Sequence, residues 1–436
     1  MKKLFLGSIV LVFSLLIVLP AQAQTLEERV TALETSMANV ELLSTQLFQL
    51  FSALQPDITA ILNALAAQQL DVATLQADMS ELQSRFNGVS RNGDVLQFDS
   101  MNLQVTNGLG ATDGDPNNTG TTQVNGLGNV IIGYNEDIFP FLGGTPALPA
   151  SDKTGSHYLI VGEGLNYSSF GGIVAGRDNV SSGEYASVTG GNRNRATGTY
   201  SSVSGGNRNV ASDFNSSVSG GGENIASGSH SSVSGGKGNE ASGVIANVSG
   251  GLQNTATGAY SSVSGGFNNT ASGIGNSVSG GQNNNTSMQY SSVSGGWYNT
   301  ASGNNSSVSG GQGNTASSPS SSVSGGQGNN ASNFYASISG GQNNIASGLH
   351  SSVSGGLQNT ASNESASVSG GTNNTASGVR SSVSGGVQNT ASARNSSVSG
   401  GNSNTASEAS SSVSGGNSRN ATGLDDWVAG SLFEDN

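Results

Sequence analysis

Residues 260–273 read YSSVSGGFNNTASG. Fifteen residues earlier, at 245–258, the chain reads IANVSGGLQNTATG, and fifteen later, at 275–288, GNSVSGGQNNNTSM. The same frame runs from Val188 to Val413, sixteen times; all sixteen repeats keep the glycine pair, and fifteen keep the Asn and the Ala. A Ser/Gly linker requires composition but not register. Constancy of this kind argues for stacked repeats.

Fifteen residues are too few for a two-helix repeat, and Ser, Val, Thr, Asn and Gly are weak helix formers. The unit that fits is one coil of an all-β parallel β-solenoid, or β-roll. It has a short strand around Ser202-Val203-Ser204, a bend at Gly205-Gly206, a second strand around Val210-Ala211-Ser212 and a bend back. Stacked coils pair strand on strand at about 4.8 Å, so about seventeen of them predict a rod of roughly 80 Å.

Each column then has a task. The Val column (Val203, Val218, Val263, with Ile338 as its one change) and the Ala column (Ala211, Ala271, with Thr286 as its exception) should point inward. The paired glycines, such as Gly205 and Gly206, should supply bends that a Cβ would obstruct, with φ > 0. The Asn column (Asn209, Asn254, Asn269) should form an amide ladder along the stack, ending at Arg419. One Val and one Ala per coil make a thin core for fifteen ordered residues. Association of several rolls would bury more.

Composition and charge narrow the function. Only 33% of the 436 residues are apolar, 9% are charged and 66 are Gly. No cysteine is present, which removes disulfides, thiolate metal sites and Cys-linked lipid anchors. The start, MKKLFLGSIVLVFSLLIVLPAQAQ, has Lys2 and Lys3, an apolar run from Leu4 to Leu19 and an Ala21-Gln22-Ala23 cleavage site. It reads as a Sec signal peptide over 1–23, with an uncleaved anchor as the alternative. The expected location is therefore extracellular or at the cell surface, with no transmembrane helix in the mature chain. Loss of the leader leaves 12 basic against 27 acidic residues, a net charge of about −15, which disfavours nucleic acid as a partner.

Residues 24–88 carry a heptad pattern. One column holds Val30, Met37, Ser44, Phe51, Ile58, Leu65, Val72, Met79 and Phe86. The other holds Leu26, Leu33, Val40, Leu47, Leu54, Ile61, Gln68, Leu75 and Leu82. Such a seam is the mark of a coiled coil. The phase passes through Pro56 unchanged, which favours a parallel coil over a helical hairpin turning near Gln55-Pro56. The mixed Val, Met, Phe and Leu do not by themselves fix the number of chains.

Residues 89–170 read as a connector and irregular lead-in to the roll. Asn92-Gly93-Asp94 breaks the helix, and three short strands are predicted around Val130-Ile131-Ile132, Tyr158–Val161 and Ile173-Val174-Ala175, the last placed fifteen residues before Val188. Pro140, Pro146 and Pro149 mark a loop. Asp113, Asp115, Glu136 and Asp137 lack the spacing of a calcium loop, so no metal is expected. The fifteen-residue roll spans 171–423, and in 424–436 the residues Trp427, Val428, Leu432 and Phe433 read as a cap over its end.

The frame S-x-V-S-G-G-x-x-N-x-A-S-G resembles the head repeats of trimeric autotransporter adhesins, the haemagglutinin-type repeats, over roughly residues 125–423. That family's usual period is fourteen; here it is fifteen and the glycine is doubled. The resemblance implies a left-handed β-roll three chains wide, a parallel homotrimer, display on the cell surface, and binding to surfaces or matrix. The coil precedes the roll here, and the tail is read as a cap rather than as that family's membrane anchor.

Catalysis is not expected: His157, His230 and His350 are scattered, and no cofactor motif is present. The leading reading is an elongated fibre that binds an environmental or host surface, protein or glycan. Its candidate contact residues are exposed aromatics in the variable columns: Tyr200, Tyr260, Tyr290 and Tyr335, with Phe267 and Trp297 after the glycine pair. Tolerated turn residues are the competing account of them. A passive spacer or matrix protein is the first alternative. Ice binding through hydroxyl pairs such as Thr255/Thr257 is the second, although Arg195, Val210, Ile225, Glu240 and Ile345 interrupt that column.

Overall fold

A computed structural model describes residues 25–137 and 152–429. The leader, the three prolines of the connector loop, and Leu432 and Phe433 lie outside the described residues. The chain forms two compact units that divide between Leu103 and Gln104.

The first unit is dominated by one helix, α1, Leu26–Arg85, 60 residues long. At 1.5 Å per residue it extends about 90 Å. Glu28 reaches back to the Thr25 N–H at 2.9 Å, which satisfies one of the donors orphaned at a helix start. Pro56 lies inside the helix and does not end it, so the hairpin alternative is not realised. None of its residues is buried, and apart from the half-buried Leu54 the apolar seam is open to solvent: Phe51 is 64% and Leu75 65% exposed. By length and composition α1 is also apolar enough to cross a membrane. The apolar residues owe this to a heptad seam, which Asp57, Asp71, Asp78 and Glu81 flank on the other faces. Behind α1 the Asn92-Gly93 break is the start of an antiparallel hairpin, β1 (Val89–Asn92) with β2 (Val95–Phe98), closed by the two-residue turn Gly93-Asp94. A Gly-Asp pair as the two-residue loop between strands is a hairpin signal.

The second unit is a parallel β-solenoid of about 18 coils of ~15 residues. Each fifteen-residue coil contributes one two-residue strand to each of two walls. In the first wall Ser202–Val203 pairs with Ser187–Val188 below and Ser217–Val218 above. In the second, Val210–Ala211 lies between Arg195–Ala196 and Ile225–Ala226. A third line of single parallel bridges follows the glycine pair, through Asn192, Asn207 and onward to Asn417.

Four columns point inward rather than two. Val203, Val218 and Val263 are at most 1% exposed, and Ala211 and Ala271 are fully buried. The Asn column is fully buried as well, and a Ser column at the turn (Ser216, Ser231, Ser306) joins them. The Ser oxygen fastens its own turn: Ser306 Oγ donates to the Gly303 carbonyl at 2.7 Å and accepts the Gly303 N–H at 3.0 Å.

The Asn ladder is not amide on amide. Asn269 Nδ2 donates to the carbonyl of Gly265 in its own coil and of Gly281 in the next, both at 2.9 Å. Its Oδ1 accepts the backbone N–H of Asn284 at 3.0 Å. Each side chain therefore cross-links the backbones of two bends. The ladder ends at Arg419, whose backbone N–H donates to Asn404 Oδ1 at 2.8 Å.

Two further corrections concern the glycines and the register. The second glycine of every pair takes positive φ, +90° at Gly206 and +91° at Gly266; the first, such as Gly205 and Gly265, does not, except in the last two pairs, at Gly400 (+158°) and Gly415 (+150°). The lead-in strands β3 (Val130–Ile132), β4 (Leu159–Glu163) and β6 (Ile173–Arg177) join the first wall, with β5 (Asn166–Tyr167) between β4 and β6 in sequence. Their spacing from β4 onward is fourteen: Leu159 pairs with Ile173, and Val174, not Ile173, pairs with Val188. The reason is local. Gly176 (φ +97°) lies against Gly191 (φ +82°), and Arg177 bridges Asn192. The residue added in the fifteen-residue coils is therefore the first glycine of the pair. These lead-in coils also pack a small aromatic core of Tyr158, Ile160, Leu165, Tyr167 and Val174.

At the other end Trp427–Val428 pairs with Ser412–Val413, and Trp427 Nε1 donates to Ser414 Oγ at 2.8 Å. Val428 packs against the core while Trp427 stays 65% exposed. These two residues add a rung to the first wall instead of closing over its end.

The turn between the walls holds a second column with φ near +57°, occupied by Tyr200, Asn215, His230, Ile245 and Tyr260 among others. Asn and Gly tolerate this conformation, but a β-branched residue does not. Ile245, at φ +58°, is 46% exposed and so recovers little by burial. Ile245→Asn should stabilise the surrounding coils by about 1 kcal/mol, read as a higher denaturation midpoint; a lower midpoint would refute the strain.

Candidate functional site

The two bends of each coil create two edges along the rod, and the six candidate contact residues divide between them. Tyr200, Tyr260, Tyr290 and Tyr335 stand on the turn edge, at positive φ and half or more exposed. Phe267 and Trp297 stand on the glycine edge, two coils apart, with Gln282 bridging between them. The structure thus does not gather the six into one site.

On the turn edge the rings serve one another. Tyr185 and Tyr200 stack with centroids 5.3 Å apart and planes 2° from parallel. Phe170 meets Tyr185 edge-on at 4.8 Å, and Phe214 meets Tyr200 at 5.7 Å and His230 at 5.3 Å. Tyr335 stacks on His350 at 4.8 Å. A ring face used in this way is no longer open to a ligand. Burial raises the Tyr185 hydroxyl pKa above its ordinary value, with Tyr200 and nearby acids adding to it. Tyr260 and Tyr290 sit outside these stacks, and the Tyr290 ring leans over Gly275. Tyr185 and Phe214 were not foreseen as partners of Tyr200; for Tyr185 the fifteen-residue offset from Tyr200 was the available signal.

On the glycine edge Trp297 is 56% exposed, Tyr298 beside it is also exposed, and Phe267 is half-buried. Tyr298 was missed because it occupies the positive-φ column, at +55°, where Asn and Gln are commoner.

Ion pairs within the coils are seen at the start of the roll. Arg177 pairs with Glu163 at 2.7 Å, Arg193 with the buried Asp178 at 3.0 Å, and Arg208 approaches Glu223 at 3.7 Å. Between Lys237 and Arg380 there is no Lys or Arg, and the only acids are Glu240 and Glu364. Both edges are neutral over that stretch apart from Glu364, on the turn edge.

The connector acids have other employment. Asp115 is 8% exposed, and its carboxylate accepts the Thr119 hydroxyl at 2.7 Å together with the backbone N–H groups of Asn117, Thr119 and Thr121. These donors, the Thr119 hydroxyl first, hold its pKa below the ordinary carboxylate value against the opposing effect of burial. Asp137 pairs with Lys153 at 2.8 Å. Among the described residues no three His, Asp or Glu side chains converge as metal ligands would. His157 Nδ1 lies 3.0 Å from the Thr112 carbonyl, which makes it the protonated nitrogen. The other two histidines pack on Phe214 and Tyr335, far apart in the stack.

No family model matches the chain, and no curated protein matches it.

Proposed function

We propose that the protein is an exported fibre protein whose β-solenoid is an adhesin-like head, similar to those of trimeric autotransporter adhesins, and that it works as a parallel homotrimer. The observation that carries this reading is the coil itself. The lead-in coils have fourteen residues, the period usual in those heads, and the later ones differ by a single glycine at the bend. On this reading, this chain's departure from the family's period is one added residue per coil.

Self-association is supported by the helix. A 60-residue helix with no buried residue leaves its seam in water, and helical stability in proteins comes mainly from packing an apolar face. Pairing in parallel register would bury that seam and tether the rolls side by side. A passive spacer remains the second reading, favoured by the division of the candidate aromatics between two edges.

The test is the solution mass of residues 24–436 by light scattering. Three chains per particle are expected, falling to one when Phe51→Glu and Ile58→Glu put charges in the seam. A wild-type monomer would overturn the assembly and the adhesin-head analogy together.

A further inference from the structure

Along the glycine edge, in-register bridges stack Phe267, Gln282, Trp297, Gln312, Gln327 and Gln342 one above the next. Five steps of about 4.8 Å make a strip roughly 24 Å long. Asn268, Asn283 and Tyr298 stand beside it in the neighbouring column. The strip contains no ionisable group except the Tyr298 hydroxyl, and among the described residues the four glutamine amides have no hydrogen-bond partner.

We propose that this strip binds a neutral polysaccharide laid lengthwise along the rod; the inference rests on the adhesin-like reading and supplies its ligand class. An amide both donates and accepts, as a sugar hydroxyl does, and an exposed aromatic face suits the apolar C–H face of a pyranose ring. A polyanion finds no cation here to pair with. An extended peptide has no free backbone to join, because the bridging residues already donate to the next coil: Phe267 N–H to Gly281 and Trp297 N–H to Gly311, both at 2.9 Å. A narrow, long, uncharged track of rings and amides matches an extended, uncharged chain of hydroxyls.

The experiment uses the full chain carrying Trp427→Phe. The protein has two tryptophans, so Trp297 becomes the sole indole reporter. Laminarin, dextran and hydroxyethyl cellulose serve as neutral probes, with alginate and gelatin as charged and protein controls. At least one neutral polymer should shift the Trp297 emission to the blue and retard the protein in affinity electrophoresis, with little dependence on salt. Phe267→Ser with Trp297→Ser should weaken retardation by about ten-fold or more. Gln312→Glu with Gln327→Glu, which keeps the reporter, should weaken it too, while Tyr335→Ser on the other edge should not. The inference is overturned if no neutral polymer retards the chain, if only alginate or gelatin does, or if both strip variants bind like the parent while keeping its circular dichroism. Trimeric mass without retardation removes the ligand class alone; retardation of a monomer keeps it and removes the assembly.

Discussion

Gly266→Ala should destabilise the coils around it by about 3–5 kcal/mol, whereas Gly265→Ala, one residue away, should change stability by no more than about 0.5 kcal/mol. Gly266 has φ +91°, and a Cβ there would fall inside contact distance of the Gly281 carbonyl and 2.5 Å from Asn269 Nδ2. Left-handed geometry alone costs an alanine about 1–2 kcal/mol. The methyl group must also push the coils apart, which loosens the Phe267–Gly281 bond and the Asn269 cross-link, at about 1–3 kcal/mol for each buried group left unpaired. At Gly265 φ is not positive and an added Cβ meets nothing within 4 Å. Hydrogen exchange of the amides in residues 247–296 reads the difference: protection should collapse locally for Gly266→Ala and persist for Gly265→Ala. Equal losses in the two variants would mean that both bend positions are constrained. If the Gly265 variant kept its exchange protection yet changed its solution mass, the first glycine would be needed between chains and not within one.

Asn269→Ala should cost about 2–6 kcal/mol, among the largest effects of any single truncation in the stack. Asn269 is fully buried. Its removal leaves the buried Asn284 N–H and the half-buried Gly265 carbonyl without partners, while the Gly281 carbonyl keeps Phe267 as its donor. Leucine of similar size would not rescue the position, since both orphaned groups are polar. The measurement is the susceptibility of the 265–285 segment to a broad-specificity protease. Cleavage there in Asn269→Ala, with distant coils intact, is the expected pattern for a repeat array whose coils contact only their neighbours. Wild-type resistance would show that the ladder is not what holds the bends.

The repeat made most of the second unit readable before its geometry was known. A column that is always Val, always Ala or always Asn must meet the same surroundings in every coil, and in a stack such surroundings are interior. The reading failed where one coil's sequence cannot reveal its neighbour's offset. The lead-in strands carry the right residues, yet their fourteen-residue register depends on a missing glycine that looks like ordinary variation. The glycine pair invited a single explanation, although only its second member carries the left-handed bend. The inward Ser column was hidden because Ser is common in the outward columns too. Among the candidate contact residues, type was legible, and exposure for all but the half-buried Phe267, but grouping was not. Tyr200 and Trp297 differ only by their place in the frame, and that place puts them on different edges. Phe214 joined the tyrosine stack from an adjacent column, which no fixed offset could show.

The hydrogen bonds between coils run along the rod, and this has a mechanical consequence. Tension applied to the ends of the stack loads every interface in series, so the weakest coil yields first and alone. One coil contributes about 4.8 Å to the folded rod but, drawn out, about 50 Å of chain. A rod anchored at both ends would therefore lengthen in discrete tenfold steps under load, and each coil could recoil against an intact neighbour when the pull ceases. Near-identical coils, redundant for rigidity, make a tether that dissipates force without parting.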